Sequence, residues 1–137
     1  MNVIIREYEE SDLDSVNIVL DEAFNRKKDN FDGEEFIELV SQCDNEVSGY
    51  LLMTRVLNPI KNKYYYLIDY VCVLSKYRGL GVSDKLMEYA LNIAKERKAM
   101  YLQLTCSRFR DAAHKLYERC GFIKRDSDIY RKEILWY

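Results

Sequence analysis

The residues best suited to chemistry follow a β-rich run in the second half of the chain. Residues 64–73 are aromatic or β-branched almost throughout, which is typical of a central strand covered on both faces. A glycine-containing loop, 75–83, comes next and leads into a helix that extends to about residue 97. Glycines let a backbone approach its ligand, and a helix N-terminus offers unpaired amides and a favourable dipole. This order predicts a phosphate-binding site, to which Arg78 and Lys76 would add charge.

The glycine spacing distinguishes between nucleotide-binding motifs. A dinucleotide fingerprint needs a third glycine where this chain has Asp84, and a P-loop needs a Gly-Lys-Ser/Thr sequence that is absent. The spacing resembles instead the signature of the GNAT acetyltransferases, which is Arg or Gln, two residues, Gly, one residue, then Gly or Ala. Arg78 and Gly81 match it, and Ser83 stands at the last position.

A second motif strengthens the resemblance. Ala113, Leu116, Tyr117 and Cys120 have the spacing of one helix face, and Gly121 is placed to end that helix. Such a stripe alone is typical of core packing. The sequence Ala-His-Lys-Leu-Tyr, followed after three residues by Gly-Phe, nevertheless resembles the C-terminal GNAT motif in a variant also seen in aminoalkylphosphonate acetyltransferases.

The resemblance implies a fold of the α/β (α+β) class, with a central mixed, mostly antiparallel sheet flanked by helices. We expect a single N-acetyltransferase domain over 1–137. The elements that the patterns predict before the β-rich run are a strand over 2–7, a helix over about 11–26 with Ser11 as N-cap, and a hairpin of 38–43 and 46–56; a further strand is predicted at about 100–106.

The resemblance also implies that acetyl-CoA is the acetyl donor. In such enzymes the strand before the glycine loop offers backbone groups to the pantetheine, the loop amides take the pyrophosphate, and Tyr117 would protonate the departing thiolate. Many relatives carry Asn where this chain has Arg110. The implied cofactor-binding residues are Val71, Cys72, Val73, Arg78, Gly79, Gly81, Val82, Ser83, Arg110, Ala113 and Tyr117.

The chemistry requires a proton acceptor, because a primary amine with a pKa near 10 must be deprotonated before it attacks. Asp69, in the middle of the β-rich run, aligns with an acidic position often found in GNAT enzymes and is the candidate base. We expect it to be buried, although it could instead only hydrogen-bond a neighbouring loop. His114 and water are the rival bases, and an amide near Val71 is the simplest donor to the oxyanion.

The composition excludes several classes of partner. Formal net charge is −2, from 21 basic and 23 acidic residues interspersed along the chain, so no global field indicates nucleic acid or an anionic membrane. No apolar run approaches the roughly 20 residues of a membrane span, and no signal-peptide pattern begins the chain, so we expect a cytoplasmic protein. One histidine and four cysteines without a CxxC pair predict no metal site and reduced core thiols.

The acceptor is expected to be a primary amine of a small molecule or peptide. Its binding groups should come from 24–36 and 123–136. Acidic residues could attract a cationic amine such as a polyamine or aminoglycoside, and basic residues could hold an anionic one, although solvated faces are the simpler explanation of both groups. The acidic residues are Asp29, Asp32, Glu34 and Glu35, and the basic ones are Arg108, Arg110, Lys124 and Arg125. The tyrosines at 64–66 are expected in the core or in a homodimer contact. An alternative function is a non-catalytic acyl-CoA-binding or regulatory module.

Overall fold

The central sheet places the candidate site along one of its inner strands. The computed structural model describes residues 1–134. Its five strands lie in the order in which they occur in the chain, with the first four antiparallel and the last parallel to its neighbour. They are β1 (Val3–Glu7), β2 (Phe36–Cys43), β3 (Glu46–Asn58), β4 (Lys63–Val73) and β5 (Leu102–Gln103).

Helices cover both faces of this sheet. They are α1 (Leu13–Phe24), α2 (Val82–Glu96) and α3 (Asp111–Arg119). The buried residues of α1 join one hydrophobic core with Val40, Tyr50 and Cys72, while those of α2 join a second core with Leu51 and Tyr66. Burial on both faces is why β3 and β4 are apolar in long runs. Within 1–134, no helix has the length and apolar character required to cross a membrane.

The hairpin, the β-rich strand and the three helices agree with the sequence predictions to within a few residues. Asp44 and Asn45 both have positive φ, as a two-residue hairpin turn requires. Tyr66 is buried in the core, and Tyr65 stacks on Tyr101. Gly121 has φ +90° and follows the end of α3.

Three local predictions were wrong. Ser11 is not an N-cap, because a 3-10 turn precedes α1 and Asp12 accepts the Glu9 amide and pairs with Arg6 at 2.8 Å. The last predicted strand shortens to the two residues of β5. All four cysteines are free, but only Cys43 and Cys72 are buried; the other two, Cys106 and Cys120, are half-buried beside α3.

Candidate functional site

The loop before α2 presents an array of free backbone donors. Gly79 and Gly81 have φ +78° and +79°, a region that side chains other than glycine rarely adopt. The first helical hydrogen bond is donated by Lys85 to the Gly81 carbonyl. Within residues 1–134, the amides of 79–84 therefore have no hydrogen-bond acceptor in the protein. A Cβ built on either glycine meets nothing within 4 Å, so the space around the loop is open. Such an array can bind an anion.

The cations expected to assist this loop are directed elsewhere. Arg78 donates from Nε to the Val73 carbonyl at 3.2 Å, and its Nη2 lies 3.7 Å from Glu22 of α1. Lys76 pairs with Glu46 at 2.7 Å. The expectation that both side chains add charge at the anion site stays a prediction, and each side chain is directed here to a carboxylate. Backbone amides and the helix dipole remain as the electrostatic source.

A bulge distorts β4 next to this loop. Tyr50 of β3 lies opposite Cys72, and Leu52 lies opposite Asp69. Between these two pairs β4 therefore contains one residue more than β3. Tyr70 takes up the extra residue at φ +53°, a rare conformation for an aromatic residue. Leu52 faces α1, and its cross-strand partner Asp69 therefore faces the same side of the sheet. The Tyr70 ring also lies on this side, where it packs edge-on against Phe24 of α1 with ring centroids 5.4 Å apart.

Asp69 is exposed, which corrects the expectation that it is buried. Its Oδ1 accepts the Tyr70 amide at 3.1 Å, so the carboxylate also supports the bulge. The exposure has a structural cause. β4 pairs with β5 at Tyr66 and Leu67 alone among the described residues, and the strands separate beyond that point. Val71 is half-buried and Cys72 and Val73 are buried along the strand that this separation leaves unpaired on one side.

Tyr117 lies on α3, on the opposite side of β4 from α1. Its half-buried ring packs against the core that contains α2 and lies edge-on to Phe122 with centroids 6.0 Å apart. Burial raises the pKa of Tyr117, and the charges of Cys106 and Asp69 raise it further while Arg110 opposes them. The hydroxyl therefore remains protonated at neutral pH and can donate a proton. Asp69 is close enough to contribute to the electrostatic field at Tyr117.

The other predicted residues of α3 differ in their surroundings. Arg110 is exposed at the N-cap position, and Ala113 is half-buried one turn before Tyr117. His114 Nε2 lies 2.8 Å from the Ser107 carbonyl. Because a carbonyl only accepts, Nε2 carries the proton in this contact and Nδ1 is the nitrogen left to act as a base.

Comparison with known proteins decides the family. The family model described as "Acetyltransferase (GNAT) family" matches residues 2–122, which is most of the chain. The chain belongs to the GNAT acetyltransferase family. A search of curated proteins found no match. As a member, the protein is an acetyl-CoA-dependent acetyltransferase, which transfers an acyl group from acetyl-CoA to an amine.

Solved structures show the same fold. The chain is similar to an aminoglycoside acetyltransferase from an uncultured soil metagenomic sample (TM-score 0.85, 16% identity, 98% of this chain and 100% of that one). It is similar to a ribosomal-protein-alanine N-acetyltransferase from Brucella melitensis biovar Abortus 2308 (TM-score 0.82, 20% identity, 97% of this chain and 99% of that one). A transcriptional regulator from Bacillus halodurans C-125 is also similar (TM-score 0.80, 25% identity, 97% of this chain and 100% of that one). The predicted fold class is confirmed.

Sequence reasoning missed a cavity of about 420 Å³ between α1, the segment after it and strands β2 to β4. We call it the α1-side pocket. Glu38 and Tyr50 lie on the face of the sheet that carries α1, and their neighbours Leu39 and Leu51 lie in the core on the other face. This alternation of period two indicates in the sequence that the two residues share a face, but it does not indicate a pocket. The pocket is lined by Leu20, Arg26, Lys27, Lys28, Asp29, Phe31, Phe36, Glu38, Tyr50, Leu52 and Tyr70.

The predicted acceptor segments therefore differ in their placement. Residues 24–36 contribute much of the α1-side pocket. Residues 123–134 are exposed, apart from any helix or strand, and residues 135–136 of the prediction lie outside the described part.

Asp84, which opposes anion binding by its charge, has a compensating partner in this GNAT protein. Arg119 of α3 holds both oxygens of Asp84, at 3.1 Å from Nε and 3.2 Å from Nη2. The pair connects the first turn of α2 to the last turn of α3. The guanidinium therefore offsets a negative charge beside the free loop amides.

We predict that Arg119→Gln weakens CoA binding about threefold, because it leaves Asp84 uncompensated at a partly exposed site. The double variant Arg119→Gln/Asp84→Asn should restore the parent affinity. Isothermal titration calorimetry with CoA measures both. Unchanged affinity in Arg119→Gln would show that Asp84 exerts no field at the anion site.

Proposed function

We propose that the protein transfers the acetyl group of acetyl-CoA to a primary amine of a small molecule or peptide by direct attack in a ternary complex. The observation that carries this proposal is the position of the two candidate sites. The free amides and Tyr117 lie on one side of the β4 bulge, and Asp69 and the α1-side pocket lie on the other. Direct transfer needs this arrangement, because both substrates must reach the same point at once.

The loop residues suit the donor. Acetyl-CoA would supply the activated acetyl group, and the amides of Gly79, Gly81, Val82 and Ser83 would hold its pyrophosphate, whereas the amide of Arg78 already donates to the Ser75 carbonyl at 3.2 Å. Six consecutive unpaired amides in front of a 15-residue helix support this assignment. The unpaired side of 71–73 would offer backbone groups to the pantetheine, and Ala113 and Arg110 of α3 would contribute to the same site. The Val73 carbonyl is already engaged by Arg78, so Val71 and Cys72 carry more of that role.

The proton steps are assigned to two side chains. Asp69 would accept the proton of the attacking amine, directly or through water, since it is exposed beside the α1-side pocket. Tyr117 would donate its hydroxyl proton to the leaving thiolate, since its raised pKa keeps it protonated. The Val71 amide at the bulge is the proposed donor to the negative charge that develops on the acetyl oxygen.

We expect acetyl-CoA at about 100 times its dissociation constant to stabilise the protein by about 2.7 kcal/mol, which raises the melting temperature by several degrees. Gly81→Arg should remove this rise, because its side chain enters the open space before the loop and its backbone would be strained. Gly121→Arg is the matched control, since Gly121 has φ +90° and equally open surroundings. Scanning fluorimetry with and without acetyl-CoA measures the shifts, and no shift for the parent would refute the enzymatic proposal.

Tyr117→Phe should lower kcat by about 100-fold and leave CoA affinity nearly unchanged, because it removes only the acid. Since the pKa of Tyr117 is raised, deprotonation of its hydroxyl should lower the activity of the parent only above about pH 10. The variant has no hydroxyl to deprotonate, so its rate should not show this fall at alkaline pH. Tyr101→Phe, at an exposed tyrosine stacked on Tyr65, is the control. Steady-state rates across pH measure these effects, and an unchanged kcat would exclude Tyr117 as the acid.

Asp69→Asn tests the base separately from the bulge. Asn keeps an oxygen that can accept the Tyr70 amide, so the melting temperature should remain that of the parent. The rate should fall most at neutral pH, where an amine with a pKa near 10 is almost wholly protonated, and the loss should shrink as pH approaches 10. Rate profiles for parent and variant that superimpose would leave Asp69 with its structural role alone.

A further inference from the structure

We propose that the acceptor is an apolar amino acid or a close analogue: a primary amine on a compact aromatic or branched aliphatic body that also carries a carboxylate. The proposal deepens the proposed function and rests on it. The α1-side pocket would hold the apolar body and the carboxylate, and the amine would lie at the β4 bulge.

The pocket begins where the reaction would occur. Tyr70, the residue at the bulge, forms part of its wall, and so does Leu52. Leu52 lies directly opposite Asp69, so the candidate base is at the boundary of the pocket. A molecule that fills the pocket would therefore extend to Asp69.

The wall is apolar and largely aromatic. Phe31 and Phe36 pack edge-to-face with centroids 5.6 Å apart, and Leu20 and Leu52 cover the side toward α1 and β3. Tyr50 presents its ring, because its hydroxyl donates to Glu38 at 2.6 Å. Aromatic walls of this kind bind aromatic and aliphatic groups by stacking and by release of water.

The two buried ionic groups of the wall neutralise each other's charge, although Lys28 Nζ has no hydrogen-bond acceptor among residues 1–134 and can still donate to an anion. Lys28 Nζ lies 3.2 Å from Glu38 Oε1 and 4.0 Å from the centroid of the Tyr8 ring, and the side chains of Lys28 and Glu38 are only 16% and 17% exposed. Glu38 also accepts the Tyr50 hydroxyl. This carboxylate is thus committed to protein partners and is a poor counter-ion for a second ammonium group of a polyamine.

The remaining charges favour an anion. With Lys28 and Glu38 paired, the pocket residues that remain charged are Arg26, Lys27 and Asp29. Neither Arg26 nor Lys27 forms an ion pair with any residue in 1–134. The excess of positive charge complements a carboxylate on the acceptor.

The volume of the pocket suits an acceptor of amino-acid size. At about 420 Å³ it lies toward the small end of ligand pockets.

Three acceptors test the proposal with acetyl-CoA: phenylalanine, 2-phenylethylamine, which lacks only the carboxylate, and spermidine. We expect kcat/KM for phenylalanine to exceed that for phenylethylamine about 5- to 10-fold, as two partly exposed cations allow, with spermidine the poorest. Arg26→Gln/Lys27→Gln should lower the value for phenylalanine to that for phenylethylamine and so abolish the difference between the first two. Phe31→Ala, at an exposed position, should weaken both aromatic acceptors by a similar factor.

The control is Arg131→Gln/Lys132→Gln, which removes the same pair of charges from the exposed segment after α3 and should leave the preference intact. The proposal is overturned by a preference for spermidine, by equal values for the two aromatic acceptors in the parent, or by loss of the preference in the control. It is also overturned if acetyl-CoA raises the melting temperature but none of the three amines is acetylated. That result would leave the proposed function standing, whereas failure of acetyl-CoA to bind would refute both.

Discussion

One extra residue in β4 sets the arrangement on which the rest of the site depends. In an undistorted strand, side chains alternate between faces, and Asp69 and Tyr70 would lie on opposite sides of the sheet. The bulge places both toward α1 and returns Val71 and Val73 to the core that contains α2. It also coincides with the place where β4 and β5 part. The strand therefore becomes accessible to one substrate from each side.

In the proposed function, the two sides would bind their substrates by different physical means. On the α2 side the donors are amides fixed by the backbone, and nearby side-chain charges are cancelled in pairs, as with Lys76 and Glu46. Fixed donors lose no side-chain entropy when they bind an anion, so a small domain can hold a diphosphate without a cluster of cations. On the α1 side the pocket is apolar, and its charges can discriminate between amines but would contribute less to affinity.

The sequence was sufficient for most of the elements and for the glycine loop before α2, because both depend on local signals. Periodicity located the helices and strands, and the glycine loop must adjoin a helix N-terminus to function. The bulge left no such signal, because Tyr70 is neither Gly nor Asn and its positive φ is imposed by tertiary packing. The burial of Asp69 was mispredicted for the same reason. The pairing of Arg78 with Glu22 could not be predicted, because Glu22 lies on α1, more than fifty residues earlier.

The acceptor side was the least predictable because its pocket is formed by residues from five separate parts of the chain. Lys28, Glu38 and Tyr50 looked like isolated polar residues in sequence, yet their contacts remove one cation and one carboxylate from the balance that a ligand meets. Formal charge along a segment is therefore a poor guide to specificity. What matters is the charge left after internal pairing, and here that charge is carried by Arg26, Lys27 and Asp29 at the pocket. Under the proposed function, the GNAT signature would fix where acetyl-CoA meets the sheet, whereas acceptor choice would depend on which of these charges remain free.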